Sequence, residues 1–237
     1  MTFVVACVLA GPARVPVRSQ DSSLLQVALR SLKRLALPPK EELNSTAEWR
    51  LVKAGNLKLT RGSADSKGPD QGGQVGPALK SAGLVYVLDK INMQYTARMS
   101  NALCAVNSEL IAHEGSRHRD VRVTFDGAGG KAHYTEKNIE NGKILREENI
   151  DIPPCVHDVL GALYRLRSTE LPPGQATEFP VSDGKKSVKA RVEAQAIEKI
   201  RTPAGDFETI RYEAFLFKGI LYRRDARLFV WMTNDAT

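Results

Sequence analysis

From Thr177 to Asp235 the chain reads as a run of β-strands stitched by tight turns. Val188, Ala190, Val192 and Ala194 alternate with Lys189, Arg191 and Glu193, the period of two that a half-buried strand requires. Asp183-Gly184 suits a two-residue hairpin turn that needs positive φ. Pro203-Ala204-Gly205 suits a type I turn followed by a left-handed glycine at a bulge. Ile210, Tyr212, Ala214 and Leu216 line one face of the next strand, and Leu221 to Trp231 supply another. Turn formers and core anchors account for Ser182-Asp183-Gly184-Lys185 and for Trp231-Met232-Thr233-Asn234-Asp235; neither is a reactive constellation.

The same period runs upstream. Trp49, Leu51, Leu57 and Leu59 alternate with Arg50, Lys53, Lys58 and Arg61. Leu84, Tyr86, Leu88, Ile91, Met93 and Tyr95 resume the pattern, and further strands are expected at 102–106, 109–114, 119–125, 131–137 and 144–150. The turn Asp126 to Gly130 and the Asn141-Gly142 hairpin signal join successive strands, which implies antiparallel pairing. Gly62 to Lys80, rich in Gly, Ser, Asp and Pro, is expected to be a long loop insertion, residues 62–80. Pro153-Pro154 breaks the sheet, and the apolar stripe Val156, Val159, Leu160, Leu163 and Leu166 predicts one short helix over 157–167.

Residues 1–20 look like an export leader: Thr2 to Gly11 is apolar, too short to span a bilayer, and followed by small residues. Asp21 to Leu37 predicts an amphipathic helix, ended by Pro38-Pro39, with a linker to residue 46. The helix suits packing on the domain, and a peripheral contact with a membrane surface is the functional alternative. The main domain is then 47–237, long enough to bury one core.

The net charge of +7 is spread along the chain with acids interleaved. No dense basic block or nucleic-acid motif exists, so nucleic acid is not an expected partner. Cys7, Cys104 and Cys155 have no zinc-site spacing. Cys104 and Cys155 form either a disulfide in an oxidising compartment or two buried thiols, the thiols being the blander reading. His113 and His118 stand five positions apart in an extended polar segment, which reads as solvated surface histidine; no metal site is expected. His157-Asp158 reads as helix capping, because adjacent helical residues do not face each other. No hydrolase, zinc-protease, P-loop or dinucleotide motif occurs, so no catalytic residue and no cofactor is assigned and the chain is not expected to be an enzyme.

From about Ala47 onward the chain resembles the bacterial domain-of-unknown-function family 3108. The resemblance is carried by the strand around Trp49 to Leu59, Gly83-Leu84-Val85 with Tyr95, and Val123-Thr124-Phe125-Asp126 with Gly130. The helix Val156 to Arg167, Leu171-Pro172-Pro173-Gly174 and Pro180-Val181-Ser182-Asp183-Gly184 follow. Thr202 to Phe207 and Trp231 to Asp235 complete it. The family continues past its Trp-x-x-Asp-Asp segment, so the final strands are expected to be missing here, leaving an open sheet edge. The resemblance implies export to the periplasm or outer envelope. It implies a mainly β fold (β-rich α+β): a single strongly curved antiparallel sheet, an open or half-barrel, wrapped around one short helix.

The inner face of such a sheet must be filled by its helix or by a ligand. Trp49, Tyr86, Tyr95, Tyr164, Phe215 and Trp231 are the aromatics expected to line it. The expected function is a non-catalytic envelope protein holding a lipid or other apolar ligand. The alternative is a structural module that binds an envelope protein through an exposed strand edge.

Overall fold

The computed structural model describes residues 4–8, 37–49, 52–63, 73–81, 90–202, 204–215 and 227–233. The expected helix over 21–37, except Leu37, lies outside these residues, as do Tyr86, Pro203 and Asn234-Asp235. The fold is mainly β, with one short helix and two antiparallel sheets among the described residues. The chain divides into two compact units, one of Pro38–Arg165 with Phe179–Lys189, the other of Met1–Leu37, Leu166–Glu178 and Ala190–Thr237.

The first unit holds an eight-stranded meander, each strand paired with its sequence neighbour. The strands are β2 (Glu41–Trp49), β3 (Val52–Ser63), β4 (Gly73–Ser81), β5 (Ile91–Met99), β6 (Ala105–Glu114), β7 (Arg117–Asp126), β8 (Lys131–Asn138) and β9 (Ile144–Asp151). Short polar turns set the register. Gly115 takes φ 54° in the two-residue turn between β6 and β7. In the next turn the Asp126 carboxylate accepts the Gly129 N–H at 2.8 Å. Alternation along β7 and β8 then buries Val121, Val123, Phe125, Ala132 and Tyr134 on one face, where Ala105, Ile152 and Val156 complete the core.

Beyond β9, Pro153 and Pro154 leave the sheet. The backbone returns across it, Ala105 N–H donating to the Val156 carbonyl at 2.7 Å, and the helix α1 (Val159–Arg167) begins.

The second sheet has the order β1-β13-β12-β11-β10: β1 (Val4–Val8), β10 (Ala176–Ser182), β11 (Ser187–Thr202), β12 (Gly205–Ala214) and β13 (Arg227–Thr233). In the second unit, Val192, Ala194, Ile210, Tyr212, Val230 and Met232 make a buried face. Burial pushes the Tyr212 phenol up to about 12.

Four expectations change. The single sheet becomes two, because the break after β9 and the helix separate two meanders that hydrogen-bond within themselves. The loop over 62–80 shrinks, because Gly73–Ser81 is the strand β4 between β3 and β5. Val75, Pro77 and Leu79 alternate there, a signal diluted by the surrounding Gly, Pro and Ser. The linker before residue 47 contains most of β2. The expected open edge at β13 is covered: Val4 to Val8, read above as part of a leader, pair antiparallel with Trp231 to Arg227.

Candidate binding face and its polar node

Cross-strand register aligns side chains of the eight-stranded sheet into rows on the face that carries the core. One row runs Leu57, Leu79, Met93, Ala112 and Arg119. The next runs Tyr95, Leu110, Val121, Glu136 and Arg146. Both rows are apolar in the middle of the sheet and charged toward β8 and β9. Leu57, Leu79, Met93 and Leu110 are only half-buried, whereas Ala112 and Val121 are buried.

Two elements cover other parts of this face. Tyr164 of α1 is fully buried; its hydroxyl donates to Glu41 Oε2 at 2.8 Å and the Arg61 guanidinium lies 5.5 Å from its ring centre. The turn between β10 and β11 presses Gly184 onto Val123 and Tyr134. A Cβ at Gly184 would stand 2.6 Å from Val123 Cγ1, so only glycine fits. The Lys185 ammonium sits 5.3 Å from the Tyr134 ring centre, a cation–π arrangement.

Between these covers lies a buried polar node. Asp158 caps α1: its Oδ1 accepts the Gly161 N–H at 2.7 Å and its carbonyl accepts the Ala162 N–H at 2.8 Å. Its Oδ2 accepts the Tyr95 hydroxyl at 2.8 Å. Burial raises the Asp158 carboxyl above its ordinary value, with the Gly161 N–H and the Tyr95 hydroxyl opposing. Burial, then the Asp158 charge, push the Tyr95 phenol well up. Tyr95 is therefore a neutral donor at physiological pH.

His157, also buried, is clamped from three directions. Its Nδ1–H donates to the Leu103 carbonyl at 2.6 Å, its N–H to the Pro180 carbonyl at 2.9 Å, and its carbonyl accepts the Ser182 N–H at 2.9 Å. Leu103 holds the left-handed conformation, φ 66°, to present that carbonyl. Next to it the structure joins Cys104 to Cys155 by a disulfide, in place of the two buried thiols. Cys155 is exposed, Cys104 half-buried. His157 and Asp158 thus serve capping and clamping roles, each with named structural partners.

A second polar group closes the charged end. Glu136 accepts from Arg117 at 3.0 Å and from the Tyr134 hydroxyl at 2.8 Å, with Arg119 at 3.7 Å. Arg119 also pairs with Glu114. Burial works against the Glu136 charge, but the hydrogen bonds from Tyr134 and Arg117 and the Arg119 charge outweigh it, and its carboxyl sits below the ordinary range.

The opposite face carries two further features. Register between β4 and β5 pairs Val75 with Ala97 and then Ala78 with Gln94, skipping Gly76 and Pro77. Proline has no N–H to give the ladder, and a groove of about 270 Å³ opens there beside Lys58, Thr60, Pro77, Gln94 and Thr96. On β6 and β7, His113 and His118 stand directly opposite, their Nδ1 atoms 2.7 Å apart.

The six expected lining aromatics are dispersed. Tyr95 and Tyr164 belong to the eight-stranded unit, where both are anchored by carboxylates. Trp49 ends β2, and its side chain lies outside the description, as does the whole of Tyr86. Phe215 and Trp231 belong to the other unit. Phe215 is 50% exposed after β12. Alternation turns Val230 and Met232 into the core, so Trp231 faces the other way, its indole N–H donating to Glu198 at 2.8 Å beside Arg211. The half-buried row Leu57, Leu79 and Met93, with Leu110 in the adjoining row, takes the place of those aromatics. Leu57, Met93 and Leu110 fall in expected strands, whereas Leu79 lay in the expected loop over 62–80, and the alignment of all four depends on register across four strands.

The family described as "Protein of unknown function (DUF3108)" matches residues 45–237. No curated protein matches the chain. Among solved structures, one similar chain is a DUF1089 family protein from Pseudomonas aeruginosa. It is 13% identical, with 82% of this chain and 87% of that chain covered and a TM-score of 0.32, a likeness too low to carry an argument.

Proposed function

Starting from a chain that belongs to the DUF3108 family, we propose that it is a non-catalytic cell-envelope protein that holds a lipid or other apolar chain on the core face of its eight-stranded sheet. The observation behind this reading is the half-buried row Leu57, Leu79 and Met93 with its neighbour Leu110. Completing the burial of such side chains is worth about 25 cal/mol per Å², less the cost of association. The same rows end in ion pairs, Arg119 with Glu114 and Glu136 and Arg146 with Glu148, which suit a polar headgroup. The partly exposed Cys104–Cys155 bridge supports an exported location, since such bridges persist in oxidising compartments. Native mass spectrometry of protein purified from an envelope fraction, with extraction of bound lipid, tests the reading. A stoichiometric apolar adduct supports it, and a protein that neither carries nor takes up lipid from vesicles refutes it.

A second reading has its own observation. β9 is an edge strand, and Ile144 and Leu145 on it are 51% and 48% exposed. Such an edge suits strand addition by another envelope protein. A photo-crosslinker at Leu145 distinguishes the two: a discrete protein adduct supports strand addition, and lipid adducts or none speak against it.

A further inference from the structure

We propose that His113 and His118 form a surface site for a divalent transition-metal ion of tetragonal preference, copper(II) first and nickel(II) second. Gly115-Ser116 joins β6 to β7 in two residues, which makes His113 and His118 the second cross-strand pair from the turn. The His118 carbonyl accepts the Ile139 N–H, so its backbone bonds toward β8. The His113–His118 pair is then of the non-hydrogen-bonded kind, in which opposed side chains come closest.

The rings meet accordingly. Their centres lie 4.8 Å apart at 76°, and the two Nδ1 atoms converge to 2.7 Å. Two imidazole nitrogens bound cis at about 2.0–2.1 Å to one ion stand about 2.9 Å apart at a right angle and about 3.3 Å apart at a tetrahedral one. The contact is that of an N–H···N hydrogen bond, and widening it by a few tenths of an ångström reaches the right-angled case, the geometry of copper(II) and nickel(II) with nitrogen ligands. A small rotation of one ring opens the space.

Second-sphere chemistry agrees. His118 Nε2 lies 3.9 Å from the Glu140 carboxylate. At that distance the carboxylate is in ion-pair range but beyond a hydrogen bond; a small shift of the exposed Glu140 side chain would let it accept the Nε2–H and leave Nδ1 free to ligate. For neutral rings the shared Nδ1 proton moves to an Nε2 position, so binding needs no net proton loss. Asn92 on β5 stands opposite His113 in register, on the same face of the sheet, and water would complete the coordination. Both histidines are partly accessible, so an ion reaches them without unfolding the sheet.

Isothermal titration of tag-free, full-length protein with copper(II), together with electron paramagnetic resonance, tests the site. The expected result is one ion per chain with a two-nitrogen signature. His113→Ala and His118→Ala each weaken it at least tenfold, and Glu140→Gln weakens it a few-fold. His133→Ala, which removes an exposed imidazole of β8 hydrogen-bonded to Asn149 and Thr135, leaves it within twofold. Footprinting of the unmodified protein with diethyl pyrocarbonate gives an answer that needs no variant: copper(II) should protect His113 and His118 and leave His133 reactive. Equal affinity in the two alanine variants and the parent overturns the proposal, as does equal footprinting of all three histidines.

Discussion

The Tyr95 hydroxyl donates to the Asp158 carboxylate across 2.8 Å, tying the middle of β5 to the first residue of the helix cap. This bond and the cap share one buried carboxylate, so each residue's contribution depends on the other. Tyr95→Phe leaves one carboxylate oxygen without this donor and should cost about 1–3 kcal/mol. Asp158→Ala removes the cap as well and should cost at least as much. The double variant should be less destabilised than the sum, a coupling of about 0.5–3 kcal/mol readable by urea denaturation.

The same carboxylate sets a pH dependence. Burial raises the Asp158 carboxyl in the folded chain, so the folded state holds that proton more tightly than the unfolded state does. Its stabilising contribution is complete below the ordinary carboxyl value of 3.8 and is lost as pH rises through the raised folded value. Asp158→Asn keeps an acceptor for the cap and does not titrate. Its stability relative to the parent should therefore improve as pH rises through that window. Glu136 behaves oppositely. Its carboxyl is lowered, so its contribution is present above the ordinary 4.5 and fades as pH falls through the folded value. Glu136→Gln should be destabilised at neutral pH and approach the parent in acid, measured by denaturation at a series of pH values.

Gly184 is the tightest test of how the β10–β11 turn seats on the sheet. It combines φ +85° with a Cβ position 2.6 and 2.8 Å from the two Val123 methyls. Gly184→Ala should cost the left-handed penalty of about 1–2 kcal/mol plus an overpacking cost of about 1–3 kcal/mol. Gly142, at φ +67° with nothing within 4 Å of a Cβ, is the matched control and should show the backbone penalty alone. Equal losses in the two variants would mean that the turn does not press on Val123.

Much of this architecture was legible because turn chemistry and period two are local. Asn141-Gly142 and Asp183-Gly184 were expected to carry turns, and both glycines hold positive φ. β4 was hidden because Gly73, Gly76 and Pro77 look like loop residues, although Val75 and Leu79 supply its alternation. Trp231 was expected among the aromatics lining the inner face of the sheet, but strand parity gives the core to its neighbours Val230 and Met232. The Tyr95–Asp158 bond spans 63 positions and the His113–His118 contact needs an exact pairing. Neither follows from composition or spacing; both follow once register is known. The two-sheet division was equally unreadable, since either meander alone shows the same period.

The disulfide gives a stability prediction that rests on chain length. Cys104 and Cys155 close a loop of 51 residues. The loop-entropy relation assigns such a closure about 4 kcal/mol, an upper figure if the unfolded chain keeps structure. Replacing both cysteines by serine, or adding a dithiol reductant, should lower the unfolding free energy by about 2–4 kcal/mol. Denaturation with and without reductant measures this, and the double variant should be insensitive to the reductant.

The binding face yields a prediction that separates folding from ligand retention. Met93 is half-buried in the centre of its row, between Leu79 and Ala112. Polar replacement of a side chain already partly in water sacrifices only part of its transfer energy, so Met93→Gln should cost about 1 kcal/mol of stability or less. If an apolar chain lies along the row, the same change removes a contact and leaves an amide facing it without a partner. Occupancy by lipid should then fall about tenfold or more, while the thermal midpoint of delipidated protein moves only a few degrees. Leu110→Asn, one row over, should behave alike. Thr96→Gln projects from the opposite side of β5, so it should leave occupancy unchanged. Lipid retention equal to the parent in both Met93→Gln and Leu110→Asn would remove this face as the binding surface.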